Sequence, residues 1–426
     1  MLDLFQLAFL VLLGWFVYWV AQPYPDRLLG VYSRPGRWYW LKFCLMRFII
    51  DYRQKKSRGT CFDKKQEDLM NSQWGGTGGN RPFHELDRKH EFPEEKERAV
   101  DAVFVNGSNS AGWYLTFGAA QRPNNIINLY FTLRIPGVGV FVDDDVEKNS
   151  NVKSVASKDA WKTESGFTLQ CIKPMREWKA TFKGKLRKAS GFRIFTEIGE
   201  EKPTNDQTLI DAEFELTWTN FGEYFDFDTE CSPTIIGHSL AIEPWSLELF
   251  RKLKASHQSH YEQAGHLNGR IRLGDQVWND VSLTGMRDHT IGSYRNWSEI
   301  RRYVMMFYRL DDGTVIHTSV ISMPEVVFSQ LEFGYVVNSE AKKVVVDRIC
   351  LDLSKFAEDK HVPKKFSYFF TAGGKRYDVE YEIIDATSFK MGLDLACQLH
   401  ENYALFKVNG INGTGFVETE YRVKPY

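Results

Sequence analysis

HYEQAGHLNGRIRLGDQVWNDVSLTGMRDHTIG occupies residues 260–292. In its first half His266, Asn268, Arg270 and Arg272 alternate with Leu267, Gly269, Ile271 and Leu273, the period of a strand with one face buried. Gly274-Asp275 is a turn signal, and Val277, Val281 and Leu283 resume the apolar pattern after it, so the stretch reads as a β-hairpin. Its two charged clusters, His260-Tyr261-Glu262-Gln263 and Arg287-Asp288-His289, then fall at the same end of neighbouring strands, with Arg295 and Trp297 just beyond. Such an arrangement furnishes the mouth of an apolar pocket in a barrel.

Working outward, short alternating runs recur from Asp101 onward, among them 102–106, 113–119, 126–133, 138–142, 177–186 and 210–219. Asn106-Gly107, Pro123-Asn124-Asn125 and Pro136-Gly137 punctuate them. After a helix over 244–253, in which Leu249, Phe250 and Leu253 share a side, strands resume to residue 423. Strand after strand without a helical period predicts an all-β, antiparallel sandwich or barrel architecture in two halves, 99–235 and 236–426.

Residues 4–21 carry Gln6 as their one clearly polar side chain and hold Trp15, Tyr18 and Trp19 towards one end. At about 1.5 Å per residue the run just covers a hydrocarbon core, predicting a transmembrane anchor over 1–22. No Lys or Arg precedes it and many follow, from Arg27 to Arg58, which predicts a single-pass protein with its body in the cytosol. A lumenal body is the alternative, favoured by the sequons at Asn106, Asn296 and Asn412. Within the basic juxtamembrane segment and linker (23–98), Trp38 to Ile50 reads as an interfacial helix with Lys42 and Arg47 snorkelling to headgroups, or as a helix packed on the body. The glycine run 75–79 is followed by Asn80-Arg81-Pro82, which disfavours a phosphate-binding loop.

A net charge of −1 gives no reason to expect a nucleic-acid partner. The six cysteines are scattered without C-x-x-C spacing, and strand alternation puts His260 and His266 on one face but leaves His257 near the helix end, so a third ligand is lacking and neither a zinc site nor a disulfide scaffold is expected.

The motif His260–Gln263, Gly269, Arg287-Asp288-His289-x-x-Gly292, Arg295 and Trp297 resembles the double-lipocalin superfamily of AttH-like proteins and carotenoid 1,2-hydratases, most closely its invertebrate branch labelled phosphoenolpyruvate-synthase-like. Val105–Ser108 with Trp113-Tyr114, Leu129–Gly139 and Asn412–Glu418 extend the likeness over residues 99–426. It implies two calycin-like barrels side by side, an apolar cavity, and chemistry done by polar side chains with no cofactor. Members hydrate isoprenoid double bonds or cyclise polyketide-type chains. Thr290-Ile291 stands where Ser-Trp is expected, so no role for that Trp carries over; the phosphotransfer label does not transfer either, since the chain has no room for an ATP-grasp domain.

Asp288, His289 and Glu262 are the candidate catalytic residues: His289 as an acid raised by Asp288, Glu262 to activate water or stabilise a cation. Arg287, His260, Tyr261, Gln263, Arg295 and Trp297 are candidate ligand-binding residues. The same charged groups also suit a buried network that ties strand ends together. Three functions follow: a membrane-anchored carrier of a hydrophobic small molecule such as an isoprenoid or lipid, a cofactor-independent hydratase, isomerase or cyclase, and a structural protein without ligand. Whether Asp288, His289 and Glu262 open onto a cavity discriminates between them.

Overall fold

The computed structural model describes residues 10–15, 17–18, 22–58, 86–93, 95–143, 150–189, 208–324 and 326–423. The strands are β1 (Val100–Ser108), β2 (Tyr114–Arg122), β3 (Ile126–Ile135), β4 (Gly139–Asp143), β5 (Asn151–Lys153), β6 (Ala160–Lys162), β7 (Phe167–Lys173), β8 (Glu177–Lys188), β9 (Leu209–Asn220) and β10 (Phe225–Asp226). They continue with β11 (Ser259–Leu273), β12 (Gln276–Gly292), β13 (Arg302–Leu310), β14 (Val315–Met323), β15 (Phe328–Val337), β16 (Lys343–Cys350), β17 (Lys365–Ala372), β18 (Lys375–Met391), β19 (Cys397–Val408) and β20 (Ile411–Arg422). The helices are α1 (Tyr39–Arg58), α2 (Phe227–Glu230), α3 (Pro233–Ile242) and α4 (Leu247–Ala255).

Antiparallel pairing runs β11-β12-β1-β2-β3-β4-β8-β9 and returns to β11, which closes an eight-stranded barrel. Strands β13 to β20 follow one another around a second closed barrel, sealed by β13 against β20. The all-β pair of barrels is therefore as expected, but the two do not divide at 235/236. Hairpin β11–β12 completes the first barrel, because β12 pairs with β1 and β11 with β9. Between β9 and β11 the chain leaves the barrel for α2, α3 and α4. Pro233 is the first residue of α3, where its missing N–H costs nothing.

Gly269 sits at a register shift in β11, where β9 crosses so closely that any side chain would collide with the Glu215 carbonyl. A glycine there lets the strand bend and the barrel close.

Both barrel interiors hold tightly packed aromatic rings. Phe131, Phe182 and Phe214 stack in the first, with Phe131 5.5 Å from Phe214, and Tyr308 stacks on Phe406 at 4.1 Å in the second. The pocket expected within a barrel mouth lies instead between the barrels. Strand β1 is buried on both faces: Val103 and Val105 join the core, while Phe104 points outward and packs on Phe416 of β20. Ser108 to Thr414 (3.1 Å), Thr132 to Thr387 (2.8 Å) and the Arg134–Asp385 ion pair (2.5 Å) join the same two surfaces. Asn106 is buried in this seam, so the folded chain does not present its sequon.

Among the described residues, no helix is long and apolar enough to cross a membrane. Much of the span read over 4–21 lies outside the described residues. Helix α1 packs on α3, and its Lys42 is buried rather than snorkelling, its ammonium donating to the Glu243 (2.5 Å) and Ala241 (3.3 Å) carbonyls at the end of α3. A lysine satisfying the last carbonyls of a helix is favourable for the dipole as well.

Candidate functional site

Strand alternation divides the hairpin motif into two sites. Register pairs Tyr261 with His289, Glu262 with Asp288, Gln263 with Arg287 and His260 with Thr290. Successive side chains of a strand point to opposite faces. Tyr261, Gln263, Arg287 and His289 therefore enter the first barrel, while His260, Glu262, Asp288 and Thr290 face the second.

The inner set is a closed network. Arg287 donates from Nη1 to Asp87 Oδ1 (2.8 Å) and from Nη2 to Gln263 Oε1 (2.6 Å), and its guanidinium lies 4.6 Å from the Trp178 ring. Tyr261 donates its hydroxyl to Asp87, as does the Trp178 indole at 2.9 Å. His289 pairs through Nε2 with Asp101 Oδ1 (2.5 Å) and through Nδ1 with the Tyr261 hydroxyl (3.1 Å). Burial alone would push the Asp87 carboxyl up, but Arg287, with His289 and Tyr261, holds it well below the usual carboxylate range. Burial likewise opposes charge on His289, yet the Asp101 carboxylate raises it. Arg287, His289, Asp87 and Asp101 are fully buried. His289 therefore does not open onto the cavity, and it is not the partner of Asp288, because consecutive strand residues face opposite ways. Sequence reasoning missed Asp87, assigned to the linker, and Asp101; no spacing signal ties either to the hairpin. His90, Asp101 and His289 bring their donor atoms within 4.8 Å of one another, the closest arrangement to a metal-ligand set among the described residues.

The outer set lines a cavity of ≈310 Å³ between the barrels. Its walls are largely apolar, with Phe104, Tyr130 and Phe227 on one side and Met305, Ile321 and Phe333 on the other. Glu262 accepts from both neighbouring imidazoles, His317 Nδ1 at 2.6 Å and His260 Nε2 at 3.0 Å. Burial would raise its pKa, but the charge and hydrogen bond of His317 and the bond from His260 hold it at about 2. His260, whose Nδ1 meets Thr290 Oγ1 at 2.7 Å, is raised: its bond to Glu262 and the charge of Asp288 outweigh burial.

Asp288 differs from its neighbour. It faces the cavity and, among the described residues, its carboxylate makes no hydrogen bond or salt bridge. Burial lifts it from 3.8 to about 6; His260 and Arg295 pull it down without prevailing, and Glu262 adds to the rise. Arg295 and Trp297 reach the same cavity from the loop after β12.

Across the cavity stands a pair the sequence reading did not single out. Glu401 and Glu418 are cross-strand partners on β19 and β20, both buried. Tyr114 donates to Glu401 (3.0 Å) and Tyr303 to Glu418, and Glu418 lines the cavity. Burial and mutual repulsion raise Glu401 well above its ordinary value, and burial raises Glu418 too. Two such carboxyls share a proton rather than ionise together. Glu418 closed the C-terminal motif in the sequence, but nothing there marked it as lining the same cavity as Asp288.

No curated protein matches this chain. Among solved structures, an AttH protein (NE1406) from Nitrosomonas europaea is similar with a TM-score of 0.47 and 12% identity, over 79% of this chain and 98% of that one. Kievitone hydratase from Nectria haematococca gives 0.39 and 11%, over 83% and 97%. CghA with Sch210972 gives 0.40 and 9%, over 77% and 89%. A family model described as "Family of unknown function (DUF8627)" matches residues 5–421. Since that match takes in nearly the whole chain, the protein belongs to the DUF8627 family.

Proposed function

We propose that this protein binds an apolar small molecule between its two barrels and transforms it by proton transfer, as a cofactor-independent hydratase, isomerase or cyclase. The observation that carries the proposal is Asp288, a carboxyl without a hydrogen-bond partner among the described residues, poised near pH 6 in an apolar cavity. A group so placed gives a proton to a polarised carbon–carbon double bond and takes one back near neutral pH. Glu262, held ionised between two imidazoles, supplies fixed negative charge beside a developing cation. Carriage of a ligand alone accounts for the apolar walls but not for an unpaired, titrating acid among them.

The protein works at a bilayer in this proposal, with the barrels on the cytosolic side of an anchor over residues 4–21. Supporting it, Trp40, Leu41, Leu45, Phe48 and Tyr52 form an exposed stripe along α1, on the side away from buried Lys42 and Gln54. Exposed Arg47, Lys55 and Lys56 suit anionic headgroups. Apolar substrates dissolved in that bilayer would then lie close to the barrels.

Mild extraction followed by mass spectrometry of the molecules carried by the wild type and by Asp288→Asn tests the chemistry. The variant is expected to accumulate an untransformed molecule that the wild type holds as its hydrate or isomer. Identical cargo in both would overturn the catalytic assignment.

A further inference from the structure

A second, smaller pocket of ≈110 Å³ adjoins the inter-barrel cavity, and the two share Arg295, Asn296 and Trp297 as a common wall. It is built around arginines. Arg122, at the end of β2, is 3% exposed, and among the described residues its buried Nε and Nη1 have no hydrogen-bond partner. Its Nη2 alone is used, donating to the Arg295 carbonyl at 3.0 Å. Arg295 donates from Nε to Gln258 Oε1 (2.9 Å), and its backbone N–H donates to the Arg98 carbonyl (2.8 Å), which brings the exposed Arg98 to the same pocket. Among the described residues, none of the three guanidiniums forms a salt bridge. The carboxylates of the pocket, Glu97 and Asp394, are both solvent-exposed at its rim, and Asp394 Oδ1 accepts from the Ala396 N–H (3.3 Å).

Buried polar groups are almost always paired, and an unpaired buried cation is the costliest exception. Here burial, with Arg295 and Arg98 added, depresses Arg122 to about 9. An arginine kept in this state, with two N–H groups of its fork unused, matches the planar, two-pronged recognition of an anionic oxygen pair.

We propose that the substrate is an amphiphile whose apolar body fills the inter-barrel cavity while an anionic head, a carboxylate or a phosphate, is held by Arg122 and Arg295 in the adjoining pocket. The inference rests on the inter-barrel cavity being the ligand site and adds the chemical class of the ligand. Arg295, on the shared wall, also interacts with Asp288, so the head would set the position of the chain relative to the acid. Arg122 is a binding residue here and touches no reacting atom.

Calorimetric titration of the full-length protein with decanoate, decyl phosphate and decanol tests this. At least one anion is expected to bind about tenfold or more tightly than the alcohol, the difference charge-assisted hydrogen bonds supply, and the tighter anion identifies the head. Arg122→Gln is expected to abolish that preference while decanol binding stays within about twofold. Equal affinity of alcohol and anions in the wild type would overturn the anionic head yet leave the cavity assignment standing. Failure of all three probes to bind would overturn the cavity assignment itself. The ranking in the wild type decides the matter even if the variant does not fold.

Discussion

Glu262 and Asp288 sit directly opposite each other on β11 and β12, face the same cavity, and titrate in opposite directions. Two imidazoles hold Glu262 at about 2, whereas burial lifts Asp288 to about 6. Environments that drive neighbouring carboxyls apart assign one as a fixed charge and the other as a proton donor and acceptor near neutrality.

That division has a thermodynamic signature. A carboxyl with a raised folded-state pKa contributes stability below its unfolded value, 3.8 for Asp288, and loses it as pH rises through about 6. Asp288→Asn should therefore be more stable than the wild type at pH 8 by on the order of 1–3 kcal/mol, with the gap closing towards pH 4. Chemical denaturation at the two pH values measures it. A variant destabilised equally at both would mean that Asp288 is a structural carboxylate.

Glu262 behaves in the reverse sense. Its depressed pKa contributes stability above the unfolded value of 4.5, which is lost as pH falls through about 2. Glu262→Gln should cost about 3 kcal/mol at pH 7, as expected for breaking a buried charged pair. A double-mutant cycle with His317→Ala should give a coupling energy of at least about 1 kcal/mol. Additive losses would show that the two residues do not act together.

The inner network predicts a different phenotype. His289→Ala and Arg287→Met leave Asp101 or Asp87 buried without its nearest cationic partner, and each should lower stability by about 3–5 kcal/mol. Any folded fraction should bind decanol as the wild type does, since neither side chain reaches the cavity. Weaker ligand binding by folded His289→Ala, measured by calorimetry, would put that imidazole in the site.

Much of this was legible beforehand, and the parts that were not share a cause. Period-two alternation and Gly274-Asp275 marked the β11–β12 hairpin because both are local. The same alternation separates His289 from Asp288, although their adjacency in sequence suggested an acid–base pair. Which face meets a cavity depends on the packing of the second barrel, which no local pattern encodes. Asp87, Asp101, Arg122, Glu401 and His317 come to their sites through long-range pairing alone. Helix α1 buries Lys42 and exposes Trp40 and Phe48, with the end of α3 offering carbonyls to the lysine.

The exposed stripe on α1 calls for its own test. In vesicles of phosphatidylcholine and phosphatidylserine carrying a photoactivatable lipid, crosslinks should map to residues 40–52, and Trp40→Glu with Phe48→Glu should remove most of them. Crosslinks confined to residues 1–22 would show that α1 stays off the bilayer.

The most direct measurement is native mass spectrometry of the mildly extracted protein, compared with Ala102→Phe, which places a ring in the inter-barrel cavity. The wild type should carry an apolar molecule, or take up decanol, and the folded variant should do neither. A wild type that neither carries nor binds such a molecule, or a variant that holds the same load, would contradict a ligand site between the barrels.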